Sequence, residues 1–261
     1  MQQRRYHFVL VHGSCHGAWC WFKVLAELRL AGHRVTAVDL GGSGVDPRRL
    51  EDVRSISDYL KPLIEFMSSL ADNERVILVG HSFGGISISV AMERFPTKIS
   101  AGVFISAYMP HHESPPAVLI QEYFKKLPDG FAMDCEFAFE DGPDKLPSSV
   151  LFGPGFLKEK AYRNCQLEDV ELAMALMRPS RLYGTELGAQ NLLTKERYGS
   201  VKRVYVISEG DDVMPDEFQR SMINNYEPDQ VNVMTEAGHM AMVTKPKQLS
   251  HLLYEIAVKY N

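Results

Sequence analysis

The six residues Gly80-His81-Ser82-Phe83-Gly84-Gly85 constrain this chain more than any other stretch of its 261 residues. They fit the pattern G-x-S-x-G, and they lie directly between Arg75 to Val79, which reads as a buried strand, and a helical stretch from Ile86 to Phe95. A backbone that passes this quickly from strand to helix turns too sharply for side chains on both flanks, so glycine stands on each side of Ser82. The turn lifts the serine hydroxyl above the end of a sheet. It also aims the free N–H groups of the helix N-terminus at negative charge forming nearby. That is the geometry of a nucleophile elbow. A glycine-rich turn whose serine merely caps the helix is the plainer alternative, and the strand-to-helix context argues against it.

The rest of the chain supplies the rhythm such a turn needs. Tyr6 to Val11 reads as a strand broken at His12-Gly13-Ser14, and Trp19 to Ala31 as a helix closed by Gly32. Strand Arg34 to Leu40, amphipathic helix Ser57 to Leu70 and strand Ala101 to Ala107 follow around the elbow. At Pro110 the alternation stops. From there to about Ser200 the chain shows helical stretches at Ala117 to Lys126, Gly155 to Asn164 and Glu168 to Met177, and no convincing buried strand. It then resumes with strand Arg203 to Ile207, helix Asp216 to Asn224, strand Gln230 to Met234 and helix Pro246 to Tyr260. The pattern predicts an α/β fold with a mainly parallel sheet flanked by helices. Residues 1–109 and 201–261 form its core, and residues 110–200 an inserted helical cap over the site.

A serine hydroxyl is a weak nucleophile and needs a base. In this fold the order is nucleophile, acid, histidine. His239, in Ala237-Gly238-His239-Met240 after the last strand, is the histidine so placed; His251 falls in the final helix and reads as a surface residue. The acid that orients the imidazole comes from Glu209, Asp211 and Asp212. Asp211 is favoured by its spacing to Pro215, with Asp212 its neighbouring alternative. Two backbone N–H groups are expected to face the oxyanion, one on Phe83 after the nucleophile and one on Ser14 in the loop after the first strand.

Composition narrows the ligand. Hydrophobic residues make up 45%, charged residues 23%, and the net charge is −5. No basic field exists to hold nucleic acid or an anionic membrane, so a small organic molecule is the expected partner. The four cysteines match no metal pattern and read as free thiols. No signal-like segment or membrane-length apolar run is evident, which points to the cytoplasm.

Longer segments carry a resemblance: FVLVHGSCHGAWCW, GHRVTAVDLGGSGVDPRRL, VILVGHSFGG, ERYGSVKRVYV and AGHMAM. Over nearly its whole length the chain resembles the plant methylesterase and hydroxynitrile lyase family of α/β-hydrolases. The resemblance implies the α/β-hydrolase fold, the triad Ser82, Asp211 and His239, oxyanion amides at Ser14 and Phe83, no metal or organic cofactor, and a homodimer. Lyases of the family carry threonine and lysine where this chain has Gly13 and Met240, which favours ester hydrolysis. The implied substrate is the methyl ester of a small plant hormone or alkaloid-type acid. Decarboxylation follows if the acid product has a β-carbonyl. A hydrolase-fold receptor with little turnover is the alternative reading, and a lyase the lesser one. Gly13, His16, Tyr108, Phe131, Ala132 and Met240 are expected to line the pocket, beside Ser14 and Phe83.

Overall fold

Alternate residues of the first strand, β1 (His7–Val11), enter different cores. Phe8 and Leu10 pack with Trp21, Val24 and Leu28, whereas Val9 and Val11 pack with Leu60, Leu63 and Met67. This is the period of a strand buried on both faces, as a parallel sheet between helix layers requires. The computed structural model describes residues 4–140, 142 and 145–261.

After β1 come α1 (Phe22–Leu30), β2 (Arg34–Val38), α2 (Ile56–Ser69), β3 (Val76–Ser82), α3 (Gly84–Arg94) and β4 (Ile99–Ala107). The insertion contains α4 (Pro116–Lys126), β5 (Glu136–Ala138), β6 (Ser149–Leu151), α5 (Pro154–Phe156), α6 (Leu167–Leu176), β7 (Ser180–Arg181) and α7 (Gly184–Leu187). The chain ends with β8 (Arg203–Ser208), α8 (Asp216–Asn225), β9 (Gln230–Met234), α9 (Ala241–Thr244) and α10 (Pro246–Tyr260). The main sheet has the order β2-β1-β3-β4-β8-β9 with every neighbouring pair parallel. α1 and α10 cover one face through Val24, Leu28, Leu253 and Ile256; α2, α3 and α8 cover the other through Leu63, Ile86 and Met222.

The sheet order positions the site. From β1 the chain steps outward to β2, then returns to add β3 on the other side of β1. Ligands of open α/β sheets bind at such a switch point, beyond the carboxyl ends of the strands. The turns after β1 and β3 meet there. α3 starts hard against its neighbours: a Cβ on Gly84 would lie 2.6 Å from His12 O, and one on Gly85 would lie 2.1 Å from Tyr108 O. Only glycine allows the helix to begin that close to the sheet.

The insertion departs from the sequence reading in two places. It contains a three-stranded antiparallel sheet, β5-β6-β7, where no strand was expected. Strands of two or three residues are too short to display a period of two, so the pattern had nothing to register. The helix expected over Gly155 to Asn164 is instead the short α5 followed by a π-helical turn, Leu157–Ala161, where Tyr162 N donates to Leu157 O at 2.8 Å. In the core, β3 runs on through Ser82 rather than stopping at Val79, because Ser82 still pairs with Ala107 of β4.

Candidate active site

Ser82 sits at the last position of β3 with φ 53°, in the left-handed region that disfavours a side chain. Strain of this kind persists where surrounding structure enforces it, and it is the signature of the elbow. The residue before it, His81, donates from Nε2 to the carbonyl oxygen of His239 at 2.9 Å, and the two imidazole rings lie 4.6 Å apart. The loop after β9 is thereby held across the elbow. Among the described residues Ser82 Oγ forms no hydrogen bond; the contact between a nucleophile and its base is often long until substrate arrives.

His239 Nδ1 donates to Asp211 Oδ2 at 2.8 Å. In the neutral ring that bond puts the hydrogen on Nδ1 and leaves Nε2 bare, the tautomer a general base requires. The carboxylate is itself fully engaged. Asp211 Oδ1 accepts the backbone N–H groups of Val213 and Met214, each at 2.8 Å, and Oδ2 also accepts the hydroxyl of Ser106. Asp212, the alternative acid, turns outward and pairs with the exposed guanidinium of Arg163 at 2.8 Å. Glu209 contributes its backbone, whose carbonyl accepts Gly238 N–H at 3.0 Å.

The loop after β1 is built around two neutral histidines. Leu40 N–H donates to His12 Nε2 at 3.1 Å, so the ring hydrogen is on Nδ1, which donates to Gly13 O at 2.8 Å. Gly13 O and Ser14 N–H belong to one planar trans peptide, so holding the oxygen aims the N–H the opposite way. The next carbonyl, Ser14 O, is held at 2.7 Å by His16 Nδ1, while Tyr162 donates its hydroxyl to His16 Nε2 at 2.9 Å. Burial holds His12 and His81 below their ordinary value and lowers His16 to about 3. Of these four histidines, only His239 has a carboxylate partner among the described residues. Neither Ser14 N–H nor Phe83 N–H has a protein acceptor among the described residues, so both remain available to a ligand oxygen.

Beyond Ser82 opens a cavity of about 470 Å³. Its walls come from α4 (Ile120, Tyr123, Phe124), from the loop carrying Phe131 and Ala132, and from Phe137, Val150 and Phe152 of the insertion. Ser14, Phe83 and Tyr108 complete the end nearest the elbow. This is a largely apolar chamber with a few polar groups in its wall, the usual character of a small-molecule site.

The sequence profile of the Alpha/beta hydrolase family matches residues 8–252. The chain belongs to that family. Methylesterase 10 of Arabidopsis thaliana is 69% identical over 100% of this chain and 94% of its own length. Methyl jasmonate esterase 1 of Vitis vinifera is 47% identical over 100% of both. The crystal structure of polyneuridine aldehyde esterase superposes with a TM-score of 0.92 at 42% identity, covering 97% of this chain and 100% of that one.

In this α/β hydrolase the structure brings together Ser82, His81, His239 and Asp211, with the Ser14 and Phe83 amides beside them. Tyr108, Phe131 and Ala132 line the cavity. Three expected pocket residues do not. His16 is buried, stacked between Trp19 and Tyr162 with both ring nitrogens bonded to protein, and supports the loop from behind. Met240 is wholly buried in the core beneath α9 and α10. Gly13 lies against the elbow: a Cβ there would meet Ser82 Cβ at 2.8 Å. Lining a pocket depends on where a side chain points, which adjacency in sequence to a site residue does not determine.

Two residues escaped the sequence reading. His12 was visible within the His-Gly pair, but its role in fixing the Ser14 peptide shows only once Leu40 is folded against it. Ser106 has φ 41° and is buried at the end of β4, giving no signal in a strand of small and apolar residues.

Proposed function

We propose that this chain is a serine carboxylesterase that hydrolyses the methyl ester of a small plant hormone or alkaloid-type acid, with Ser82 as nucleophile, His239 as base and Asp211 as its orienting acid. The observation that carries the reading is the His239 Nδ1–Asp211 bond of 2.8 Å, set across an elbow whose serine opens into an apolar chamber. His239 Nε2 takes the Ser82 proton as Oγ attacks the ester carbonyl. The N–H groups of Ser14 and Phe83 receive the oxyanion. His239 returns the proton to the departing methoxide, methanol leaves, and a water deprotonated by the same imidazole hydrolyses the acyl-enzyme. No step calls for a metal or organic cofactor. An acid product with a β-carbonyl group would then lose carbon dioxide.

Residues 110–200 serve as the cap in this scheme, since they supply most of the chamber wall. The names of the relatives support a methyl ester as substrate. A cytoplasmic homodimer that engages neither nucleic acid nor membrane fits the acidic net charge and the four free cysteines. Among the described residues no helix is long and apolar enough to cross a membrane. Methanol release from salicylate, jasmonate, indole-acetate and alkaloid methyl esters, measured beside Ser82→Ala, tests the proposal. Turnover that disappears with Ser82 supports it. Tight binding of an ester without turnover would establish a receptor instead, and cyanide release from a cyanohydrin would establish a lyase.

A further inference from the structure

Among the described residues, one phenol in the chamber wall is left without a protein partner. Tyr123 donates its hydroxyl to Val213 O at 2.6 Å, Tyr162 to His16 at 2.9 Å and Tyr205 to Ala107 O at 3.0 Å. Tyr108 lines the chamber, yet among the described residues its hydroxyl meets no acceptor, and the oxygen is not enclosed by protein. Its position is closely set. Tyr108 N–H donates to Ser82 O at 3.1 Å, and its ring packs edge-on against Phe83, Tyr123 and Phe218 at centroid distances of 6.4, 5.6 and 6.3 Å.

The surroundings define what this hydroxyl can serve. Among the described residues, the other hydroxyls of the wall without a protein partner belong to Ser82, the nucleophile, and Ser14, in the oxyanion loop. Ile120, Phe124, Phe131, Phe137 and Phe152 offer the substrate only carbon. The charged residues of the wall, Asp129 and Lys145, are exposed to solvent. Burial raises the Tyr108 phenol well above its ordinary value, so it stays protonated and acts as a donor. In apolar pockets a few fixed donors set orientation and specificity. A donor left unpaired by the wrong ligand penalises that ligand.

We propose that the Tyr108 hydroxyl donates a hydrogen bond to a second oxygen on the acid part of the substrate, so that the preferred ester carries a ketone on an otherwise apolar skeleton. This rests on the methylesterase reading and adds a selection rule to it. The ring contacts hold the donor still, so it discriminates by the position of the ketone as well as by its presence.

The test uses methyl decanoate and its isomers with one ketone at successive chain carbons. kcat/KM is measured for the wild type and for Tyr108→Phe, which keeps the ring packing. At one ketone position the wild type should favour the oxo ester by about tenfold, and Tyr108→Phe should bring that ratio towards one. Equal rates for all esters in the wild type, or a preference that survives in Tyr108→Phe, would overturn the proposal. So would a uniform loss across all esters, which would place the phenol on the ester group itself. Calorimetric binding of the same esters to Ser82→Ala and to the Ser82→Ala/Tyr108→Phe pair reads the preference without turnover. Should the wild type turn over none of the esters, a binding preference that vanishes with the phenol would remove the esterase reading and leave this one standing.

Discussion

Replacing Gly13 with alanine probes how closely the loop after β1 is pressed onto the elbow. The new Cβ would lie 2.8 Å from Ser82 Cβ, 3.2 Å from His81 O and 3.4 Å from His81 Nδ1. Carbon atoms pack comfortably from about 3.5 Å, so loop and elbow must separate by roughly 0.7 Å. Neither side yields freely. Ser82 is already in a strained conformation at φ 53°, and Gly13 O is bonded to His12. A displacement of about 1 Å between reacting groups costs on the order of a hundredfold in rate, so Gly13→Ala should lower kcat by roughly tenfold or more. KM should move little, because residue 13 does not line the chamber. Steady-state kinetics on the best methyl ester separates the two parameters, and a thermal melt shows whether the fold is retained. Wild-type kcat would refute the argument. A raised KM with kcat intact would return Gly13 to the pocket wall.

Asp211→Asn should lower kcat by about 10⁴-fold, because either orientation of the amide turns its NH₂ towards two donors and upsets the His239 tautomer. Asp212→Asn, which loses only a surface pair with Arg163, should act like the wild type in the same assay; the opposite ranking would exchange the two roles. Removing the Ser106 hydroxyl strips Asp211 of a charge-assisted bond of about 1.5–3 kcal/mol. Ser106→Ala and Ser106→Gly should both reduce kcat, with glycine melting higher because it relieves φ 41°; an alanine variant with full activity and wild-type Tm would contradict this. His12, His16 and His81 are held below the ordinary value of 6.5, so the unfolded chain takes up protons that the folded one refuses. Their contribution is complete above pH 6.5 and falls as the pH drops below it, by at most about 1.4 kcal/mol per unit for each histidine until the folded ring itself takes up the proton. Thermal melts from pH 7 to about 5, above most carboxylate titrations, should show a falling Tm; a flat profile would mean that these rings are protonated in the fold.

Much of the candidate site was legible in the chain because its parts are local. Strand, tight turn and helix around Ser82 occupy consecutive residues, and the order of nucleophile, acid and histidine follows from the order of strands in a parallel sheet. The Ser14 and Phe83 amides are backbone groups, placed by the turns themselves. Asp211 was less clear, since two adjacent aspartates share one loop and only packing decides which faces inward.

What the folded structure alone decided are contacts between residues distant along the chain. Ser106 meets Asp211 because β4 and β8 are neighbours in the sheet, although the whole insertion separates them in sequence. His16 and Met240 adjoin site residues in sequence yet turn into the protein, since side-chain direction is set by packing. The strands β5, β6 and β7 pair across intervening loops and are too short to betray themselves by periodicity. The elbow and its order of partners belong to local sequence. The support of the acid, the shape of the chamber and the place of Tyr108 in its wall depend on which surfaces meet once the chain is folded.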